Sequence, residues 1–258
     1  MKKSCCIDMM FSQTEFYDRI AQVKKSGIDA IEFWKWSNKD IDRVCMEKEK
    51  NGLYFSVFNI DCKDERLSYD LSRGILNTAR KEDFLSALGE SIPVYRKLGA
   101  NGMIVLIGET MDGISKLKQR DNVFDCLKAA APIAESNGVT LVVEPLNNID
   151  RQNYFMPYAA DVFDIIKSVN SPNVKMLYDI YHQNMMGDFS VDDIKENIDR
   201  IGHFHVADCP GRHEPGTGNV NYQHIIGEIC KLDYSGYIGL EYMATKQDQD
   251  TFDFLKEI

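Results

Sequence analysis

Short apolar, β-rich runs alternate along the chain with longer segments whose apolar residues recur every three to four positions. The short runs predict strands at Lys3–Met9, Ala30–Trp34, Tyr54–Ile60, Met103–Ile107, Thr140–Glu144, Lys175–Asp179, His203–Ala207 and Tyr237–Glu241. The longer segments predict amphipathic helices between them. The first opens on Ser12 and Glu15, spaced as a capping box, and carries Phe16, Ile20 and Val23 on one face. Others are expected from about Glu82 to Leu98, Asn122 to Glu135, Ala160 to Val169, Val191 to Asp199 and Asn221 to Leu232. Gly27, Gly99 and Gly138 stand where a helix ends on a left-handed residue.

Eight strand–helix units in 258 residues average about 32 residues each, the size of a βα repeat. With right-handed crossovers, eight such units close into an α/β fold, a (β/α)8 TIM barrel. No Pro/Gly/Ser-rich linker interrupts the pattern, so one barrel is expected to fill residues 1–258. An open doubly wound sheet is the competing arrangement. It carries a glycine-rich first βα turn, and here that turn reads DMMFSQTE.

Composition narrows the partners more than the fold. Hydrophobic residues at 44% and charged residues at 27% belong to a globular chain and exclude disordered or fibrous classes. Thirty basic against forty acidic residues leave a net charge of −10, which disfavours nucleic acid and anionic membrane as partners. The seven cysteines are scattered without a CxxC pair, as expected of reduced thiols in a cytoplasmic protein. Asp8 interrupts the first apolar stretch too early for a signal peptide, and no run approaches the roughly 18 apolar residues of a membrane span.

A barrel carries its chemistry on the C-terminal ends of its strands. Those ends present Glu144, Asp179, His205 and Glu241, one from each of four successive strands. Three carboxylates at one rim repel each other unless a cation neutralises them. With one imidazole they suit a divalent ion such as Mn2+, Mg2+ or Co2+ better than a thiolate-type zinc site. His182, on the loop leaving the sixth strand, and Arg212, in ADCPGRHEPGTG after the seventh, are candidate substrate contacts, and His213 and Glu214 share the Arg212 loop. His203 points to the same side as His205, one layer deeper, as a hydrogen-bonded interior residue. His224 is expected to face solvent. Phe11, Trp34 and Trp36 follow the first two strands, where aromatics either wall a pocket or sit buried beneath loops. No nucleotide-cofactor motif is present, so no nucleotide cofactor is expected.

The segments VVEPLN, YDIYH, FHVADCPGRHEPGTGNVNY and GLEY, with the opening DMMFSQTEFYDRI, resemble hydroxypyruvate isomerases within the xylose isomerase-like superfamily of sugar isomerases and epimerases. The likeness is strongest from Glu144 onward. It implies a divalent metal on Glu144, Asp179, His205 and Glu241, with Glu144 and Glu241 as the acid/base pair and His182 and Arg212 on the substrate. The implied reaction is isomerisation of a small hydroxy-carbonyl compound, such as hydroxypyruvate to tartronate semialdehyde, through an enediolate. A ketose 3-epimerase or a keto-inositol dehydratase would use the same proton abstraction. An abasic-site endonuclease would need more rim histidines and a basic face, and a non-catalytic metal- or sugar-binding barrel would lack turnover. A homo-oligomer is compatible with any of these readings.

Overall fold

Residues 1–78, 80–252 and 254 are described by the computed structural model. The strands are β1 (Lys2–Cys6), β2 (Ala30–Glu32), β3 (Tyr54–Phe55), β4 (Val57–Asn59), β5 (Gly102–Leu106), β6 (Leu141–Glu144), β7 (Val174–Asp179), β8 (Ile201–Val206) and β9 (Tyr237–Leu240). Every pairing between these strands is parallel, in the order β3-β2-β1-β9-β8-β7-β6-β5-β4. Only Ser56 separates β3 from β4. Its N–H donates to Ile31 O on one side, and its carbonyl accepts from Asn101 and Gly102 on the other. The two short strands are therefore one stave that changes partners, and the sheet closes into the eight-staved barrel the sequence predicts.

The helices are α1 (Phe16–Lys25), α2 (Ile41–Lys50), α3 (Glu65–Arg73), α4 (Lys81–Leu98), α5 (Lys116–Asn137), α6 (Ala159–Val169), α7 (Ile180–Met185), α8 (Val191–Asn197) and α9 (Tyr222–Ile229). Periodicity located the apolar ones within a few residues and missed α2, α3 and α7. α2 and α3 are rich in charge and bury little, so their apolar stripe is thin. The capping box does not form. Residues 7–13 are turns, and α1 starts at Phe16 with Glu15 at its N-cap and no side-chain cap bond. The strand expected to reach Met9 stops at Cys6 for the same reason. Gly99 and Gly138 do close α4 and α5 in the left-handed region.

Strands buried on both faces read as continuous apolar runs, as GMIVL of β5 does. Glu32, Glu144, Asp179 and His205 near the upper ends of β2, β6, β7 and β8, with Glu241 just past β9, depart from that rule and build the site.

Candidate active site

Glu144 ends β6, Asp179 ends β7, His205 lies one residue from the end of β8, and Glu241 follows β9. All four are at most 5% exposed. One ligand atom from each lies within 4.8 Å of the others, so the structure brings together the four rim residues that the sequence singled out. His205 sits at the centre. Its Nδ1 lies 3.5 Å from Glu144 Oε1 and 3.4 Å from Glu241 Oε2, yet it has no hydrogen-bond partner. A buried ring nitrogen without a partner, facing carboxylate oxygens, is what a metal-ligating imidazole looks like. The oxygen-rich donor set fits a hard or borderline divalent cation.

The far side of His205 rests on a residue that sequence reasoning missed. Glu32, at the end of β2, lies 2.9 Å from His205 Nε2 and 3.2 Å from His203 Nε2, and accepts the Ser56 hydroxyl at 2.7 Å. At these distances Glu32, His203 and His205 form an ion-pair network beneath the rim; His203 is interior, as expected, but neither of its ring nitrogens makes the hydrogen bond that was expected. Gly239 makes the network possible. A Cβ there would lie 2.6 Å from Glu32 Oε1 and from His205 Cδ2, and 2.7 Å from His203 Nε2. Glu32 ends its strand just as Glu144 does, so the signal that found the rim would have found it too.

Charge compensation sets the acid–base behaviour of the cluster. Burial pushes the Glu144 carboxyl up to about 7, with Glu241 and Asp179 adding to the rise and His205 opposing it. Glu241 is also raised by burial, but His205 and Arg212 outweigh this and hold it well below the usual carboxylate range. For His205, burial works against the charged form, and Glu241 and Glu32 still lift its pKa well above the ordinary value.

His182 lies on α7 rather than on a loop, with Asp179 as the N-cap accepting the Tyr181 and His182 N–H groups. Its Nε2 is 3.4 Å from Asp179 Oδ2, and burial pushes its pKa down to about 4. Arg212 donates from Nη2 to Glu241 Oε2 and stands 3.8 Å from Asp179 Oδ2. It adopts a φ of 53°, held because its carbonyl accepts from Met243 and its N–H donates to Asp208 O. Its neighbours serve the loop itself: His213 Nδ1 lies 2.7 Å from Met243 O, and Glu214 accepts the Thr245 N–H and hydroxyl.

A cavity of about 600 Å3 opens above the cluster, lined among others by Trp34, Glu144, His182, Arg212 and Glu241. Trp34 walls it and donates from Nε1 to Glu241 Oε1 at 2.7 Å. Trp36 and Phe11 are buried elsewhere, Trp36 donating to Ser91 Oγ. His224 is exposed, as expected.

The sequence profile described as xylose isomerase-like TIM barrel matches residues 20–258. The chain belongs to that family. Within the xylose isomerase-like family it is 28% identical to hydroxypyruvate isomerase of Escherichia coli strain K12, over 94% of this chain and 93% of that one. It is 30% identical to 2-oxo-tetronate isomerase of Cupriavidus necator, over 92% of this chain and 90% of that one. Among solved structures, AP endonuclease, family 2 from Brucella melitensis superposes with a TM-score of 0.90 at 22% identity, covering 99% of this chain and 98% of that one. A D-psicose 3-epimerase structure superposes at 0.75 with 19% identity, covering 94% and 85%. At those identities the structural matches establish the barrel alone. No helix among the described residues is long and apolar enough to cross a membrane.

Proposed function

We propose that the chain is a metal-dependent isomerase that moves the carbonyl of a small 2-oxo-3-hydroxy acid by one carbon, as in hydroxypyruvate to tartronate semialdehyde. The observation that carries this reading is that Glu144 and Glu241 converge on the same face of His205, at its Nδ1, on the floor of a cavity walled by His182 and Arg212. The full-length likeness to hydroxypyruvate and 2-oxo-tetronate isomerases supports it.

The reaction removes a proton from C3, passes through an enediolate and returns a proton to C2, while the hydroxyl proton passes from the C3 oxygen to the C2 oxygen. Atoms and electrons are conserved within the substrate, so no nicotinamide is required. Glu144, Asp179, His205 and Glu241 would hold a divalent ion (Mn2+, Mg2+ or Co2+), which supplies Lewis-acid stabilisation to charge on adjacent oxygens. Glu144 and Glu241 flank the plane of the substrate and exchange its proton. His182 donates to a substrate oxygen, and Arg212 meets the carboxylate. Trp34 covers one side and restricts water.

The test is a panel of hydroxypyruvate, 2-oxo-tetronate, a ketohexose and a keto-inositol, comparing metal-free and Mn2+-loaded protein. Mn2+-dependent turnover of a 2-oxo acid is the expected result. Conversion of the ketohexose alone would replace this reading with a 3-epimerase. The cavity favours that second reading as far as size goes, because it has the volume of a site for ligands larger than three carbons.

Arg212 separates the two. Arg212→Lys exchanges a planar fork for a point charge. Its kcat/KM for a 2-oxo acid is expected to fall by about 1.5–3 kcal/mol in transition-state stabilisation, the worth of a charged hydrogen bond. A neutral ketose should lose less. Equal losses on both would assign Arg212 a general role toward the enediolate oxygen.

A further inference from the structure

The strongest unassigned constellation outside the rim is a chain of hydrogen bonds behind His182. The side-chain carbonyl of Asn147 accepts the backbone N–H groups of Ile149 at 2.9 Å and Asp150 at 2.7 Å. An amide NH2 cannot accept either bond, so the backbone itself fixes which way the Asn147 amide points. Its Nδ2 then has one hydrogen for Asp150 Oδ2, 2.9 Å away, and one for His182 Nδ1, 2.6 Å away. Asp150 is held in place by the Tyr181 hydroxyl, which donates to Oδ2 at 2.7 Å. The backbone N–H of Asn147 also donates to His182 Nδ1, at 3.2 Å.

Two donors therefore converge on one ring nitrogen. A nitrogen that accepts from both presents its lone pair, and the ring proton must sit on the other. That other nitrogen, Nε2, lies at the wall of the cavity, buried without a hydrogen-bond partner, with Asp179 Oδ2 as its nearest carboxylate oxygen at 3.4 Å. We propose that Asn147 is a positioning residue that locks His182 in the tautomer protonated on Nε2, so that His182 presents a fixed donor to substrate. The proposal deepens the isomerase reading and rests on it for the identity of the group that receives the bond. A donor there stabilises negative charge growing on a substrate oxygen. It cannot take a proton from carbon, which leaves both proton transfers to Glu144 and Glu241.

The test uses the full chain loaded with diamagnetic Mg2+, labelled with 15N-histidine. Two-bond 15N–1H correlation spectra at neutral pH read which nitrogen of His182 is protonated, with His182→Gln providing the assignment. The wild type is expected to show a proton on Nε2 and a bare Nδ1. Asn147→Asp combined with Asp150→Asn keeps the hydrogen bond between positions 147 and 150 but turns a carboxylate toward His182. In that variant Nδ1 is expected to acquire a proton, and kcat for hydroxypyruvate to drop about 10²-fold, the range for losing one oriented donor. KM and Mg2+ affinity should change little.

A protonated Nδ1 in the wild type overturns the proposal. So does a double variant in which Nδ1 stays bare, or one in which Nδ1 is protonated and kcat is unchanged. Should Asn147→Asp/Asp150→Asn fail to fold, Asn147→Ala takes its place, with mixed tautomers expected and an unaltered tautomer counting against the idea. The spectra need no substrate. A protein that turns over neither hydroxypyruvate nor 2-oxo-tetronate but shows the Nε2 tautomer would remove the isomerase reading and leave the lock standing.

Discussion

Glu144→Gln is expected to lower kcat by about 10²–10⁴-fold, the range for removing a positioned general acid or base. The glutamine keeps an oxygen at nearly the same place, and Asp179, His205 and Glu241 remain, so Mn2+ should still bind, with reduced affinity. Stability should move the other way. The folded state raises the Glu144 carboxyl to about 7, so between its ordinary value and that one the ionised form is disfavoured by burial and by its acidic neighbours. A neutral isostere avoids that penalty, and the metal-free variant at neutral pH should melt at or above the wild-type temperature. The measurements are steady-state kinetics with saturating Mn2+, metal content after gel filtration, and a thermal melt. Wild-type kcat in a variant with full metal would take proton transfer away from Glu144.

His205→Ala is expected to lose both metal and fold stability. The imidazole contacts Glu32, Glu144 and Glu241, and it is the group whose positive form those acids favour. Its removal leaves buried carboxylates short of a partner, which costs about 3–5 kcal/mol when a buried pair is broken. Asp179→Ala is the informative contrast. It too should abolish stoichiometric Mn2+ binding, but it removes a charge from an acidic cluster and forfeits chiefly the N-cap of α7, worth about 1 kcal/mol. Urea denaturation of the metal-free proteins, with calorimetric Mn2+ titration, distinguishes the two. If either variant bound one Mn2+ with wild-type affinity, that residue would lose its place among the ligands.

Runs of apolar residues along the chain were enough to place the barrel and the address of its chemistry. Strands buried on both faces must be apolar throughout, so a carboxylate or imidazole at the end of such a run is conspicuous. Glu144, Asp179, His205 and Glu241 stand out as a set, one from each of four successive strands, and the structure gathers all four. Helices with a broad apolar stripe, such as α6, were legible for the same reason, whereas α2 buries only Val44 and α3 only Ser68 and Leu71, which leaves few apolar positions to read. What stands behind those residues follows from how the staves close around them. Glu32 meets His203 and His205 across the barrel interior, past β1 and β9, through space that exists because position 239 has no side chain. Arg212 turns inward onto Glu241 because its loop is tied to Asp208 and Met243. Asn147 reaches His182 because β6 and β7 run side by side, so residues just beyond their ends meet. Local pattern encodes which surface each residue buries, because burial repeats along one element. Partners contributed by separate staves follow from closure of the sheet, and no local period records it.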